Sequence, residues 1–323
     1  MDTNTPPSVP SDAPGSEKSN LLPPASVAAP LASPQRENPL LAVFVGPNGM
    51  YPGTRWLIYL LMGGIILGIL GSVAHALRPH GPPVWWGLVS QVVVVLSAIL
   101  PAFVMALIEG RPFGDFGLPR RTAFRRNFWV GTLWGFAWLT VLMLALRIAG
   151  VFSFGRLALN GASILKFGFY YVVYFLLTGF FEEFMVRGYS QWVLAKGMHF
   201  WPAAALLSAG FGALHGGNPG ESKIGLVAAG LIGFFFCLTL RRTGDLWWAV
   251  GFHMSWDWGE SYLYSVPDSG GMLPGHLLNS SFHGPEWLTG GSVGPEGSLL
   301  VFAVIVAMWV LFDRMYPNAK HSD

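Results

Sequence analysis

Glu182, Glu183 and Arg187 stand together in Phe181-Glu-Glu-Phe-Met-Val-Arg-Gly-Tyr189, inside a stretch from Ile164 onward that is otherwise apolar. An ionised side chain in hydrocarbon costs several kcal/mol, so charge placed there points to a function. On a helix Glu183 and Arg187 are i and i+4; they stack on one face and can pair. Glu182 is turned about 140° away from Arg187 by the 3.6-residue repeat. The spacing predicts that Arg187 neutralises Glu183 while Glu182 stays free to face a cavity. A carboxylate in a poorly solvated pocket holds a proton more tightly than usual, which suits it to taking one from water near neutral pH.

Two histidines lie downstream in apolar segments. His215 closes Phe211-Gly-Ala-Leu-His215, one turn after a phenylalanine on the same helical face. His253 opens His253-Met-Ser-Trp-Asp257, so the ring and the Asp257 carboxylate project together. Such histidines could hold a metal or donate hydrogen bonds to a developing oxyanion. Glu260 is i+7 from His253, shares its face and is a candidate for the outer mouth of a cavity. His75, Glu109 and Arg147 fall near the ends of apolar runs and are read as snorkelling. There is no H-E-x-x-H zinc helix, and Gly290-Gly-Ser-Val-Gly294 matches a serine-hydrolase elbow in letters only, with no strand before it. Hydrolytic machinery, where present, must be the Glu–His set.

The elements that must hold these groups are membrane helices. Of 323 residues 52% are hydrophobic and 11% charged, against about 25% charged in soluble domains. A net charge of +2 gives no pull toward nucleic acid, and the single cysteine, Cys237, excludes an intrachain disulfide. At about 20 apolar residues per crossing, spans are expected at Trp56–Leu77, Val84–Ile108, Phe128–Val151, Ile164–Gln191, Trp201–His215, Ile224–Leu240, Leu246–Val266 and Leu299–Tyr316. The expected fold is all-α, a polytopic bundle of about eight transmembrane helices with the site among helices four to seven. Gly64-x-x-x-Gly68 and Gly131-x-x-x-Gly135 offer faces for close helix approach. Arg111, Arg120, Arg121, Arg125, Arg126, Lys196, Arg241, Arg242 and Arg314 gather on one side, which predicts both termini inside. Residues 1–45, rich in Pro and Ser, are expected to be a disordered cytoplasmic tail, with 46–323 the membrane domain.

Taken together, Glu182-Glu183-x-x-x-Arg187, Phe211-x-x-x-His215 and His253-x-x-x-Asp257 resemble the three motifs of the CAAX prenyl endopeptidase and bacteriocin-immunity (CPBP, or Abi) membrane proteases. The run Arg241-Arg-Thr-Gly-Asp-Leu-Trp-Trp-Ala-Val-Gly-Phe-His253 is similar to that family's approach to its last motif. The resemblance covers about 164–260. It implies an integral membrane endopeptidase of a bacterial plasma membrane, acting on a membrane or membrane-associated peptide. Glu182 would activate water, His215 would assist, and His253 with Asp257 would hold the oxyanion or complete a metal site. Glu183 and Arg187 would brace their helix. Asp257 stands where the prenyl-protease branch carries Asn. His215, His253 and Asp257 could supply three ligands to a zinc ion; a metal-free glutamate mechanism is the rival. Outside the family, a proton relay or transporter and an inactive membrane scaffold are the competing classes.

Overall fold

The computed structural model describes residues 44–47 and 49–320; the expected tail lies almost wholly outside them. The described chain is helical, with two minimal antiparallel pairs of strands: β1 (Val45–Gly46) with β2 (Gly49–Met50), and β3 (Phe152–Ser153) with β4 (Ser281–Phe282). The helices are α1 (Pro52–Ala76), α2 (Trp86–Ile108), α3 (Arg126–Ile148), α4 (Ala162–Glu183), α5 (Gln191–Met198), α6 (Phe200–His215), α7 (Lys223–Thr243), α8 (Trp247–Trp258), the single turn α9 (Glu286–Thr289) and α10 (Leu300–Met315).

Among the described residues, five helical stretches are long and apolar enough to cross a bilayer: Pro52–Ala76, Trp86–Ile108, Arg126–Ile148, Ala162–Met198 and Lys223–Thr243. The chain is an integral membrane protein. The other three expected spans are also helical but shorter, at 16, 12 and 16 residues for α6, α8 and α10. α8 continues directly into the π-turn Gly259–Tyr264. Trp248, Ala249, Val250 and Phe252 are all buried, so its apolar surface meets protein on every side. By contrast, Leu61, Ile65 and Ile69 of α1 are exposed, as a lipid-facing helix requires.

Glycines set how closely the helices approach α8. A Cβ on Gly131 would lie 1.9 Å from the Trp248 carbonyl oxygen, and one on Gly135 would lie 2.3 Å from that of Phe252. Gly251 answers from the other side, 2.2 Å from the Phe128 oxygen. The backbones of α3 and α8 therefore touch, and Ser255 Oγ donates to the Thr132 carbonyl across the seam at 2.8 Å. Gly64 and Gly68 behave differently: both face open space, and it is Gly63 that packs against α2, at Ser97.

Candidate active site

The expected fourth span does not run as one α-helix. Phe184–Ser190 is a π-turn with a break at Gly188, whose ψ of −112° is not helical. Ser190 Oγ returns to the Met185 carbonyl at 2.6 Å, satisfying an acceptor that the wide turn frees. π-turns inside helices occur often at functional sites, and this one begins directly after the acid pair. Asp245 fixes the entry to α8: its Oδ1 accepts the Trp247 backbone N–H at 3.1 Å and its Oδ2 accepts from Asn127 of α3 at 3.0 Å. Burial pushes the Asp245 carboxyl above the ordinary range. The Thr-Gly-Asp-Leu segment ahead of the last motif thus ends α7 at Gly244 (φ 83°) and caps α8.

Glu183 is fully buried, and its Oε1 accepts from Arg187 Nη1 at 3.0 Å, as their spacing predicts. The same oxygen meets Nδ1 of His253 at 3.0 Å. A carboxylate oxygen already accepting from Arg187 can only accept again, so Nδ1 carries the proton and donates. This contact is made possible by Gly179, one turn earlier, where a Cβ would stand 3.0 Å from the His253 Cβ. Arg187 lies over the Phe211 ring, its guanidinium carbon 4.5 Å from the ring centre. It enters a niche left by Gly233, where a Cβ would fall 2.2 Å from Nη2. Phe211 therefore has two tasks, because its carbonyl also accepts from His215 Nδ1 at 2.9 Å.

With Nδ1 committed, Nε2 of His253 is aimed at two other carboxylates. Glu182 Oε2 is 3.6 Å away and Asp257 Oδ2 is 3.4 Å away. Glu182, His215, His253 and Asp257 all line one cavity of about 530 Å³. Much of its wall is apolar, including Phe175, Phe181, Met185 and Phe236, and Glu183 and Arg187 sit behind it. His215, the last residue of α6, reaches the cavity from the helix end and is half-buried.

The three expected zinc ligands do not gather. Among the described residues, the one group of three or more His, Cys, Asp or Glu with ligand atoms all within 4.8 Å is Glu260–Asp268–Glu296. His215, at the far end of its helix with Nδ1 tied to Phe211, is not in such a group with His253 and Asp257. No catalytic step is therefore derived through a metal.

The sequence reading missed Asp268, Glu296, Glu221 and Gln91, which also line the cavity. Burial, with the Glu296 charge adding to it, pushes the Asp268 carboxyl up to about 8. Burial raises Glu296 as well, opposed by the charge of His215. Asp268 and Glu296 lie in glycine- and proline-rich connections with no helical period to mark them. Glu260 is buried but is not among the residues that line the cavity.

No curated protein and no solved structure matches the chain. A family model described as type II CAAX prenyl endopeptidase Rce1-like matches residues 164–259, the segment that holds all seven residues of the three motifs. That match covers less than a third of the chain, and through it the segment is similar to the Rce1-like type II CAAX prenyl endopeptidases.

Proposed function

We propose that this chain is an intramembrane endopeptidase in which Glu182 activates the attacking water. The observation that carries the reading is the placement of Glu182 on the cavity wall, 3.6 Å from an Nε2 that Glu183 holds in place from behind. Glu182 takes a proton from water as the hydroxide oxygen bonds to the scissile carbonyl carbon. The carbonyl oxygen becomes an oxyanion beside His253, where a proton on Nε2 stabilises it. Collapse breaks the C–N bond, and the proton held by Glu182 passes to the leaving amine. His215, on the same cavity wall, positions the water through Nε2, because Nδ1 is bound to its own helix.

The substrate is a peptide segment that enters from the bilayer or its surface. The family description favours a prenylated C-terminal peptide, and the apolar wall suits an isoprenoid as well as an unprenylated apolar chain. The distribution of Lys and Arg favours both termini on the cytoplasmic side. The test is turnover of prenylated and unprenylated peptides by the full-length protein in liposomes. Replacing Glu182 by Gln is expected to lower kcat by about 10²–10⁴, the usual worth of a general base, without loss of folding. Undiminished turnover in E182Q overturns the mechanism.

A further inference from the structure

At one wall of the cavity three carboxylates converge, Asp268 and Glu296 lining it and Glu260 set behind them. Glu260 is the second residue of the π-turn Gly259–Tyr264 that extends α8, Asp268 follows in the next loop, and Glu296 lies in the short turn Pro295–Gly297. One oxygen from each lies within 4.8 Å of the others. Glu260 is fully buried, and among the described residues neither of its carboxylate oxygens has a hydrogen-bond partner. The Trp256 indole N–H approaches it without completing a bond. A buried carboxylate without a partner costs far more than a satisfied one.

Nothing basic in the surrounding chain offsets this charge. There is no Lys or Arg between Arg242 and Arg314. The basic groups whose charge reaches Asp268 and Glu296 are His253 and His215, which belong to the cavity. The three acids are nevertheless held in position. Ser261 Oγ donates to Asp268 at 3.0 Å and Ser269 Oγ to Glu296 at 3.1 Å. The Gly270 N–H donates to the Val293 carbonyl at 3.1 Å, stitching the two loops. Gly294, at φ 106°, lies so close to Pro267 that a Cβ would stand 2.0 Å from its carbonyl oxygen.

An all-oxygen set without nitrogen or sulfur suits a hard cation. Calcium holds its oxygens at about 2.3–2.6 Å, so opposite ligands stand up to about 5 Å apart, whereas magnesium draws them to about 4 Å. We propose that Glu260, Asp268 and Glu296 bind a calcium ion that clips the 265–271 loop and the Pro295–Gly297 turn onto the end of α8. Serine hydroxyls, backbone carbonyls and water would complete the six to eight ligands calcium takes. Because Asp268 and Glu296 also line the cavity, the ion would fix the wall that faces the substrate. The site does not depend on the protease reading.

The full-length protein in detergent, stripped with a chelator, should be titrated with calcium chloride by calorimetry and then melted. We expect one equivalent to bind and the Tm to rise on the order of 5 °C at saturation. E260Q and D268N should each weaken binding at least about 100-fold and abolish the shift. E260Q replaces an unpartnered buried carboxyl by an uncharged amide of the same shape, so without calcium it should melt no lower than stripped wild type. No binding by folded wild type at millimolar calcium overturns the site, as does unchanged affinity in both variants. Tighter binding of magnesium than of calcium overturns the choice of ion.

Discussion

Glu183 and His253 lie 70 positions apart in the sequence and meet at 3.0 Å, Oε1 to Nδ1. The contact makes Glu183 more than a brace for Arg187. It commits Nδ1 as a donor to Glu183 and aims Nε2, protonated as well in the imidazolium, at Glu182 and Asp257. A carboxylate that orients a histidine in this way favours its charged form and sets its geometry. The two adjacent acids thus differ in role because one helix step turns Glu182 into the cavity and leaves Glu183 fully buried.

Glu183→Gln should therefore lower kcat by about 10–100-fold, the usual cost of an outer-shell partner, while KM changes little. Glu183→Ala should also cost about 3–5 kcal/mol of stability, since it leaves the Arg187 charge buried and unpaired. Combining it with Arg187→Met should recover part of that loss. Kinetics in liposomes and melting in detergent read the two effects separately. A Glu183→Gln enzyme with normal kcat removes Glu183 from the orientation of His253.

What could be read from the sequence follows distance along the chain. Glu183 with Arg187 and His253 with Asp257 are one helical turn apart, so the 3.6-residue repeat alone sets them side by side. The eight helical segments were likewise legible, because apolar runs report a bilayer or a protein interior equally well. That equality is also why α8 reads as a full span: with the π-turn that extends it the helix runs from Trp247 to Tyr264, and its apolar residues are buried within the protein. The π-turn after Glu183 left no mark, since Gly188 is one glycine among 41. Gly131 and Gly135 could not be told from Gly64 and Gly68, as spacing says nothing of what lies opposite. Asp268 and Glu296 were missed because tertiary structure alone carries them to the cavity.

The two glycine pairs should respond in opposite ways to alanine. Gly131→Ala places a methyl 1.9 Å from the Trp248 oxygen, a backbone atom that cannot swing aside. Parting α3 from α8 should cost about 1–3 kcal/mol or more. Gly64→Ala meets nothing within 4 Å and should be neutral or stabilising by about 0.5–1 kcal/mol. Thermal unfolding of the two variants in one detergent checks the contrast; equal destabilisation would refute the close α3–α8 seam.

Asp257 faces Nε2 of His253 at 3.4 Å and, when ionised, competes with an oxyanion for that proton. An amide there keeps the shape and supplies a donor. Asp257→Asn should consequently keep turnover within about tenfold of wild type, or raise it. Asp257→Leu, which removes the group that orients the His253 ring, should lose about 10–100-fold in kcat. Peptide turnover in liposomes compares the two. An Asp257→Asn enzyme as inactive as Glu182→Gln would mean that the carboxylate itself is required.

Removal of transition metals separates the metal-free mechanism from the zinc alternative. A zinc site built on His215, His253 and Asp257 needs three ligand atoms about 2.0–2.2 Å from one ion, hence within about 4.5 Å of each other. Here the Nδ1 atoms of His215 and His253 are engaged by the Phe211 carbonyl and Glu183, and the three residues do not form such a group. Dialysis against a transition-metal chelator should therefore leave peptide turnover within about twofold, with zinc below about a tenth of an equivalent by elemental analysis. Calcium should be kept present throughout, so that the carboxylate cluster at the cavity wall stays loaded. Activity lost on chelation and restored by one equivalent of zinc, with that zinc absent from His215→Ala, would replace the metal-free scheme with a metal-centred one.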